Sequence, residues 1–350
     1  MTVAPNDFRR DKPKIWVGMN TLNQSRPSAR NEQLSQALID PDKIAFLALA
    51  SIEGVGAESL ASIAGSGQTF ESVLSVEIQH EAIELLRRHG ARIDSASWAD
   101  WRSVRARAIA RARHWADGFA RDGTHVVFRH EDAFPKRLLD LSSPPYWLFV
   151  RGSLSALSVP SISVVGTRNP SEDGRWLTKY VGASLSIWNA ATVSGLAVGV
   201  DQLAHEASIR AGVPTVAVLG SGILSDHAPG AGDLRGRIIE GGGAIATEYL
   251  PDEGHSAKNL VRRNRLQAAL GRVLIPTEWN SRSGTAHTVR FATQLRRPIA
   301  LLRLPDWDEG RVTPTMGCGL ETGRMFTIPG EDEAFRSFVR DALAGPLGSA

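Results

Sequence analysis

Cysteine is almost absent from this sequence, which has only Cys318 in 350 residues. A single cysteine excludes an internal disulfide framework and a metal cluster built from cysteines. Long apolar runs are also missing, since no stretch approaches the ~18 consecutive apolar residues that a membrane-spanning helix needs. These two absences predict a cytoplasmic protein with no membrane segment.

The N-terminal stretch lacks the apolar segment of a signal peptide. Its first residues, MTVAPNDFRRDKPK, are polar and contain proline. Residues 1–38 are rich in Asn, Ser, Arg and Pro and show no hydrophobic periodicity, so we predict a flexible arm there. Ordered structure is expected to begin near Asp40.

Lysine is sparse, and most of the positive charge is arginine. The formal net charge is +3, and the computed pI is about 9.2. Arginine binds phosphate or carboxylate through two parallel hydrogen bonds, which lysine cannot do. A GC-rich genome also favours arginine codons, so charge alone indicates a nucleic-acid partner only weakly.

A small helical domain is predicted over residues 39–122. Gly54-Val55-Gly56 separates two short helices, a pattern typical of a helix-hairpin-helix turn and equally of a plain helical hairpin. A long helix follows over 98–121, with an apolar stripe flanked by arginines. We interpret those arginines as a solvated face in preference to a nucleic-acid contact, without excluding the contact.

From residue 123 to 332, apolar strands alternate with amphipathic helices. Runs such as SISVVG, ATVSG and TVAVLG each end in a glycine-bearing loop before a helix. This alternation predicts an α/β fold with a doubly wound, mostly parallel sheet and helices on both faces. A C-terminal helix and tail are expected over 333–350. Because ligands bind at the carboxyl ends of such strands, the loops there are the candidate site.

The first candidate loop is SVVGTRNPSEDG, residues 163–174. It has neither the G-x-G-x-x-G of a dinucleotide site nor the Gly-Lys-Ser/Thr of a P-loop. Its backbone N–H groups, the Thr167 hydroxyl and the Arg168 guanidinium after Gly166 can nevertheless bind phosphate. The alternative is an ordinary strand-to-helix turn with an exposed arginine.

The next two loops are VSGLAVGVDQLAH and VLGSG. Ser194 and Gly195 end one strand, and the glycines allow a ligand to approach the backbone closely. Asp201 is expected to cap the following helix, and His205 to be structural. No second histidine or carboxylate stands at metal-ligand spacing, so we predict no metal. The second loop contributes the candidates Gly220, Ser221 and Gly222.

Two further segments complete the candidate site. Arg262, Arg263, Asn264 and Arg265 are predicted at a helix start, where the positive helix end and three guanidiniums favour an anion. The apolar residues before and after this segment continue one helical periodicity, which forces at least one of the arginines to face the protein interior. The segment Ser283-Gly284-Thr285 precedes another helix and offers its N–H groups, or caps that helix.

Seven spaced segments between Phe134 and about Gly330 resemble the DprA/Smf family of bacterial DNA-processing proteins. The segments are FPKRLLDLSSPPYWLFVRGSLSAL, SVVGTRNPSEDG, VSGLAVGVDQLAHEASIRAGVPTVAVLGSGI, GGGAIATEY, RRNR, SRSGTAHT and MGCGLETGRMF. The N-terminal LALASIEGVGAESLASI resembles the small helical, SAM-like domain of many members. The resemblance implies an extended Rossmann-like domain that binds no dinucleotide or other cofactor.

The resemblance also implies a function. Family members bind single-stranded DNA in a positively charged pocket, form dimers and load a RecA-type recombinase during natural transformation, without being enzymes. The phosphate-binding candidates that the resemblance implies are Gly166, Thr167, Arg168, Ser194, Gly195, Arg263, Asn264, Arg265, Ser283, Gly284 and Thr285. The residue pattern itself adds Gly220, Ser221, Gly222 and Arg262. Guanidiniums and N–H donors that follow a sugar-phosphate backbone predict sequence-independent, salt-sensitive binding.

This sequence departs from the family pattern at several points. Val198 stands where arginine is usual, Leu260-Val261 replaces Phe-Pro, and Pro276 lies within a strand. Few residues follow Gly330, so we expect a divergent member without the C-terminal winged helix of some relatives. Such a paralogue would also suit a mobile or defence locus.

Two alternatives stay open from the sequence. The first is a nucleotide hydrolase, because the fold is akin to that of LOG-type nucleotide hydrolases. In that case Glu248 or Glu278 of this chain would act as the carboxylate for cleavage of a glycosidic bond. The segment NSRSGTAHT keeps Ser-Gly-Thr but lacks the paired glycines of those hydrolases, which favours DNA. The second alternative is an interaction protein with a vestigial pocket.

Overall fold

The structure is a computed structural model that describes residues 40–94, 98, 100–225, 231–307 and 322–345. The predicted flexible arm, Cys318 and the end of the C-terminal tail lie outside the described residues. No helix in these described ranges is both long and apolar enough to cross a membrane.

The N-terminal part is helical, as the sequence predicts. Its elements are α1 Pro41–Ala50, α2 Ala57–Gly65, α3 Phe70–Leu74, α4 Gln79–Arg88 and α5 Trp101–Asp122. Gly54-Val55-Gly56 lies between α1 and α2, where the hairpin turn is predicted. Helix α5 begins where the Asp100 carboxylate accepts from the Ser103 N–H at 2.8 Å, and it ends at Gly123, whose φ is 65°.

Strands and helices then alternate along the chain. The strands are β1 Thr124–Phe128, β2 Trp147–Gly152, β3 Ser161–Val165, β4 Ala191–Ser194, β5 Thr215–Val218, β6 Ala244–Thr247, β7 Val273–Pro276, β8 Ile299–Arg303 and β9 Gly323–Thr327. The helices are α6 Glu172–Trp188, α7 Val200–Arg210, α8 Gly232–Glu240, α9 Ala257–Leu270, α10 Gly284–Gln294 and α11 Asp332–Ala344. Short 3₁₀ helices occupy Lys136–Asp140 and Leu154–Leu157.

In the described part of the chain, the strands form one sheet of nine in the order β1-β2-β6-β5-β4-β3-β7-β8-β9. The pairs β1–β2 and β2–β6 are antiparallel, and the pairs from β6 to β9 are parallel. This confirms the predicted doubly wound, mostly parallel sheet. The chain builds outward from β3 to β6 and then returns to place β7 on the other side of β3. Strand order therefore reverses between β3 and β7, which is where ligands bind in open α/β sheets.

Alternation along each strand sends its side chains to two helical layers. On β3, Ile162 and Val164 pack in one apolar cluster with α6, α7 and α11, while Val165 packs in another with α9 and α10. Ser163, on the α9 side, donates its hydroxyl to the Gln267 carbonyl at 2.6 Å. The helices therefore cover both faces and leave the strand ends accessible.

The helical part packs directly on the sheet. Phe46 of α1 is fully buried, and its ring lies 5.5 Å from that of Phe128 and 4.8 Å from that of Trp147. One apolar cluster includes α1 to α5, β1, β2 and α8. Residues from Asp40 onward accordingly form one compact unit. The boundaries at residues 38, 122 and 332 stay predictions.

Candidate functional site

A cavity of about 780 Å³ opens at the carboxyl ends of β3, β4 and β5. It lies at the reversal of strand order, with α9 along one side and the N-terminus of α10 at one end. Its lining comprises Val165, Gly166, Thr167, Arg168, Gly195, Leu196, Ala197, Val198, Asp201, Leu219, Gly220, Ser221, Arg235, His255, Ala257, Leu260, Val261, Arg263, Asn264, Gln267, Ser283, Gly284, Thr285 and Thr288.

The loop after β3 is held in place by Glu278. The Thr167 N–H donates to the backbone carbonyl of Glu278 at 2.8 Å, and the N–H and hydroxyl of Ser171 both donate to its carboxylate at 2.8 Å. A Cβ on Gly166 would overlap the side chain of Val200, so only glycine fits there. The loop therefore presents the exposed Arg168 at the cavity rim on a fixed backbone.

The loop after β4 crosses beneath this first loop. Gly199 has a φ of +95°, and a Cβ there would overlap the carbonyl groups of Thr167 and Arg168. The two loops are joined where the Val200 N–H donates to the Thr167 carbonyl at 3.1 Å. Leu196, buried in the wall, also has a positive φ of 61°, which is uncommon for a residue with a side chain. Both loops therefore depend on each other for their conformation.

Arg263 and Asp201 form the buried floor of the cavity. Both side chains flank the α carbon of Gly195, and a Cβ at Gly195 would overlap the guanidinium and the carboxylate. The Arg263 guanidinium donates to the carbonyl of Val218 at the end of β5. Burial raises the pKa of Asp201 above its ordinary value, opposed by Arg263 and by hydrogen bonds that include the Gly195 and Ala197 N–H groups. Asp201 lies within α7 and is not the N-cap residue, which is Gly199.

His205 is structural, in agreement with the sequence interpretation. It is fully buried, and its Nδ1 lies 2.7 Å from the Thr215 hydroxyl of β5. Burial, and secondarily the positive charge of Arg263, lowers the pKa of His205 to about 3. The imidazole is therefore neutral at ordinary pH, and it does not line the cavity.

The N-terminus of α10 closes one end of the site. Ser283 is its N-cap residue but makes no side-chain cap, because its hydroxyl donates to the Asn280 carbonyl at 2.6 Å. The Asn264 side chain of α9 donates to the Gly284 carbonyl at 2.9 Å and so fixes α10 against α9. The first N–H groups of α10 lie at the cavity without a side-chain cap, an arrangement that favours an anion.

The structure brings most of the predicted site residues together. Those that line the cavity are Gly166, Thr167, Arg168, Gly195, Gly220, Ser221, Arg263, Asn264, Ser283, Gly284 and Thr285. Ser194 and Gly222 do not: the Ser194 hydroxyl donates to the Val164 carbonyl inside the sheet, and Gly222 packs on the backbone of Leu250 and Pro251.

The Arg-Arg-Asn-Arg segment lies differently from the prediction. Helix α9 begins at Ala257, so the segment falls in its second and third turns and not at its start. Arg263 alone of the three arginines reaches the cavity. Arg265 is buried on another face of α9 in an ion pair of 2.5 Å with Glu248. Arg262, half-exposed, lines a second cavity of about 570 Å³ near the Gly54–Gly56 turn.

Glu248 and Glu278, the two carboxylates considered for hydrolysis, are engaged elsewhere. Glu248 is buried against Arg265, with Arg262 at 3.6 Å, and Glu278 accepts from Ser171. Neither lines the main cavity. Among the described lining residues, Asp201 is the only acidic one, which leaves no pair of carboxylates for acid–base catalysis there.

Sequence reasoning missed two charged or titratable side chains of the cavity. Arg235 comes from α8, and its guanidinium donates to the Ser225 carbonyl at 3.1 Å. His255 precedes α9. Arg235 lies on a helix, and His255 stands eight residues after the end of β6 and two before α9, so only the fold places them at the cavity. The lining therefore has three arginines, Arg168, Arg235 and Arg263, against the single carboxylate of Asp201.

Comparisons with known proteins agree with this architecture. Residues 125–317, more than half of the chain, match the family model of DNA recombination-mediator protein A. Protein Smf of Escherichia coli is 32% identical over 190 residues, which cover 54% of this chain and 51% of that protein. DprA of Streptococcus pneumoniae is 33% identical over 169 residues, which cover 48% and 59%. The chain thus spans about half the length of the curated relatives it matches.

Solved structures give the same fold. The X-ray structure of DprA from Streptococcus pneumoniae matches with a TM-score of 0.61 and 23% identity, over 85% of this chain and 98% of that one. A structure of DprA from Helicobacter pylori, described by its single-stranded DNA binding mode, matches with a TM-score of 0.53 and 24% identity. That match covers 62% of this chain and 96% of the other. At this level of identity the likeness shows the Rossmann-like fold.

Proposed function

Because this chain belongs to the DNA recombination-mediator protein A family, which includes the DprA and Smf proteins, we propose that it binds single-stranded DNA in the main cavity. The observation that carries the proposal is the meeting of three phosphate-binding features at one sheet edge. These are the exposed Arg168, the uncapped N-terminus of α10 and the glycine-lined backbone of the loops after β3, β4 and β5.

The lining favours contact with phosphates over contact with bases. No Phe, Tyr or Trp stands among the described residues of the cavity wall, so the wall offers no aromatic platform for stacking. Guanidiniums and backbone N–H groups bind the sugar-phosphate, which is the same in every sequence. Binding in this cavity is therefore sequence-independent and weakens as salt increases.

The proposal also covers the fate of the bound strand. A strand held by its phosphates is protected and can be passed to a RecA-type recombinase, as the description of the family as a recombination mediator suggests. We include a homodimer and a role in transformation in the same proposal. We propose no catalytic step, because Glu248 and Glu278 are held away from the cavity by Arg265 and Ser171.

The decisive experiment compares two arginine variants in a DNA titration. Arg168→Ala removes an exposed cation at the cavity rim, and Arg340→Ala removes an exposed cation on α11. The C-terminal end of α11 contacts Arg272 beside the amino end of β7, at the opposite edge of the sheet. We expect Arg168→Ala to weaken oligo-dT binding about tenfold at low salt and to reduce the salt slope by about 0.7, with Arg340→Ala unchanged.

Duplex DNA and AMP serve as parallel ligands in the same titration. Equal affinity of the wild type and Arg168→Ala for oligo-dT would show that the cavity is not the DNA site. Release of free adenine from AMP would instead support the nucleotide-hydrolase alternative.

A further inference from the structure

We propose that the exposed arginine face of α5 extends the DNA site, so that a single strand leaving the cavity continues along this helix. The inference rests on the proposed function and concerns a surface outside the cavity. Helix α5 contributes no residue to the cavity lining.

The charge of the chain is concentrated on this helix. Between Arg102 and Arg121 the sequence has six arginines and one acidic residue, Asp117. This short segment therefore carries +5, whereas the whole chain carries +3, and the remainder is net acidic. A helix that is merely solvated usually mixes charges of both signs in i,i+4 pairs. Here Asp117 stands four residues from both Arg113 and Arg121 but forms no ion pair with either of them, so arginine is in excess on this helix.

The arginines of α5 lie on one accessible side. At 3.6 residues per turn, Arg102, Arg107, Arg113 and Arg121 fall within an arc of about 140° and extend over about 28 Å of helix. The opposite side carries the buried stripe, which is Trp101, Val104, Ala108, Ala112, Trp115 and Phe119. The four arginines are exposed and form no hydrogen bond or ion pair with any residue that the structure describes. Asp100, the N-cap residue, interacts electrostatically with Arg102 and Arg107.

The helix also presents these arginines rigidly. Its first turn is capped by Asp100, it ends at the left-handed Gly123, and its stripe is buried against the rest of the protein. A strand that binds there does not have to order the helix first, which lowers the entropic cost of binding. The exposed guanidiniums match the geometry of phosphate oxygens.

A direct connection joins α5 to the cavity. The Arg111 guanidinium pairs with Asp252 at 2.7 Å and lies 4.9 Å from the ring of Trp115. Asp252 belongs to the loop between β6 and α9, and His255 of the same loop lines the cavity. The loop that supplies His255 to the cavity wall is therefore fastened to the middle of α5, which places this helix beside the cavity rim.

The test uses oligonucleotides of two lengths, because only the long one reaches α5. A typical single-strand-binding fold covers about 4–16 nucleotides. Oligo-dT of about 6 nucleotides is near the lower end of that range, and oligo-dT of about 30 nucleotides exceeds it. The variant is Arg107→Ala/Arg113→Ala, in which alanine preserves helix propensity. The matched control is Arg210→Ala/Arg340→Ala, which removes two exposed arginines from α7 and α11.

We expect the α5 variant to lose about tenfold affinity for the long oligonucleotide and about 1.4 units of salt slope, with the short one bound as by the wild type. Arg168→Ala should weaken both lengths. The inference is overturned if the α5 variant loses affinity equally for both lengths or for neither length. It is also overturned if the control variant loses as much affinity as the α5 variant. A loss confined to duplex DNA overturns it too. If the wild type binds neither length, the proposed function itself fails.

Discussion

The guanidinium of Arg263 and the carboxylate of Asp201 both lie against the α carbon of Gly195, at the floor of the main cavity. Arg263 comes from α9 and Asp201 from α7, so side chains from helices on opposite faces of the sheet reach the same glycine. This arrangement places the one acidic residue among the described lining residues beside a buried cation.

Asp201→Asn should tighten DNA binding, because it removes the negative charge that opposes phosphate in the cavity. We expect oligo-dT affinity to rise about threefold to tenfold at low salt. The wild type should also bind more tightly as pH falls through the pKa of Asp201, which burial raises, since protonation removes the same charge.

Fluorescence anisotropy across a pH series checks this prediction. The control is Asp233→Asn, which removes an exposed carboxylate of α8 outside the cavity. A pH dependence that persists unchanged in Asp201→Asn would contradict the assignment.

Arg263→Ala should destabilise the fold, unlike Arg168→Ala. Arg263 is 4% exposed and donates to the Val218 carbonyl, so its loss leaves that carbonyl and Asp201 buried without their cation. We expect a loss of about 3 kcal/mol in the free energy of unfolding. Arg168 is exposed, and its removal should change that free energy by less than about 0.5 kcal/mol. Urea denaturation separates the two, and equal stability of both variants would be inconsistent with a buried role for Arg263.

His205 makes the stability of the protein sensitive to acid. The ordinary histidine pKa is 6.5, and in the fold it is lowered to about 3. The unfolded chain therefore takes up a proton between these values while the native state does not. This contribution is complete above pH 6.5 and is lost as pH falls towards 3, at up to about 1.4 kcal/mol per pH unit.

Urea unfolding at pH 7, 6 and 5 measures that slope. His205→Gln should reduce it, because glutamine does not titrate. His80→Gln on α4 is a control at a histidine whose side chain is not buried. A slope that is identical in His205→Gln and the wild type would exclude this origin.

Glu278→Ala should loosen the loop that carries Arg168. The Ser171 N–H and hydroxyl would lose their acceptor, and the loop after β3 would keep only the backbone hydrogen bond from the Thr167 N–H to the carbonyl of residue 278. We expect faster hydrogen exchange over residues 166–171 and weaker oligo-dT binding. Glu240→Ala, at an exposed helix end, is the matched control. Unchanged exchange in that loop would show that Glu278 does not hold it.

The sequence was sufficient to predict the sheet and most of the cavity. Apolar runs and glycine loops are local signals, and parallel strands bring the ends of distant segments such as Gly166 and Gly195 to one edge. The spacing of Leu260 to Leu270 also correctly required an arginine to point inward.

The sequence did not show where α9 begins or which arginine faces which way. The helix starts at Ala257, so the three arginines project in three directions, and only Arg263 reaches the cavity. Arg235 enters the site from α8 through packing between helices, for which no local pattern exists. The pairing of Arg265 with Glu248 is likewise a contact between separate segments that spacing could not reveal.

The burial of Phe46 against Phe128 and Trp147 has a consequence for how the protein melts. The helical part cannot detach without exposing these aromatic rings and the sheet face beneath them to water, at a cost of several kcal/mol. Residues 40–345 should therefore unfold in a single calorimetric transition, with equal calorimetric and van't Hoff enthalpies. Cooperativity of that kind would hold the distance between α5 and the sheet constant up to the melting temperature.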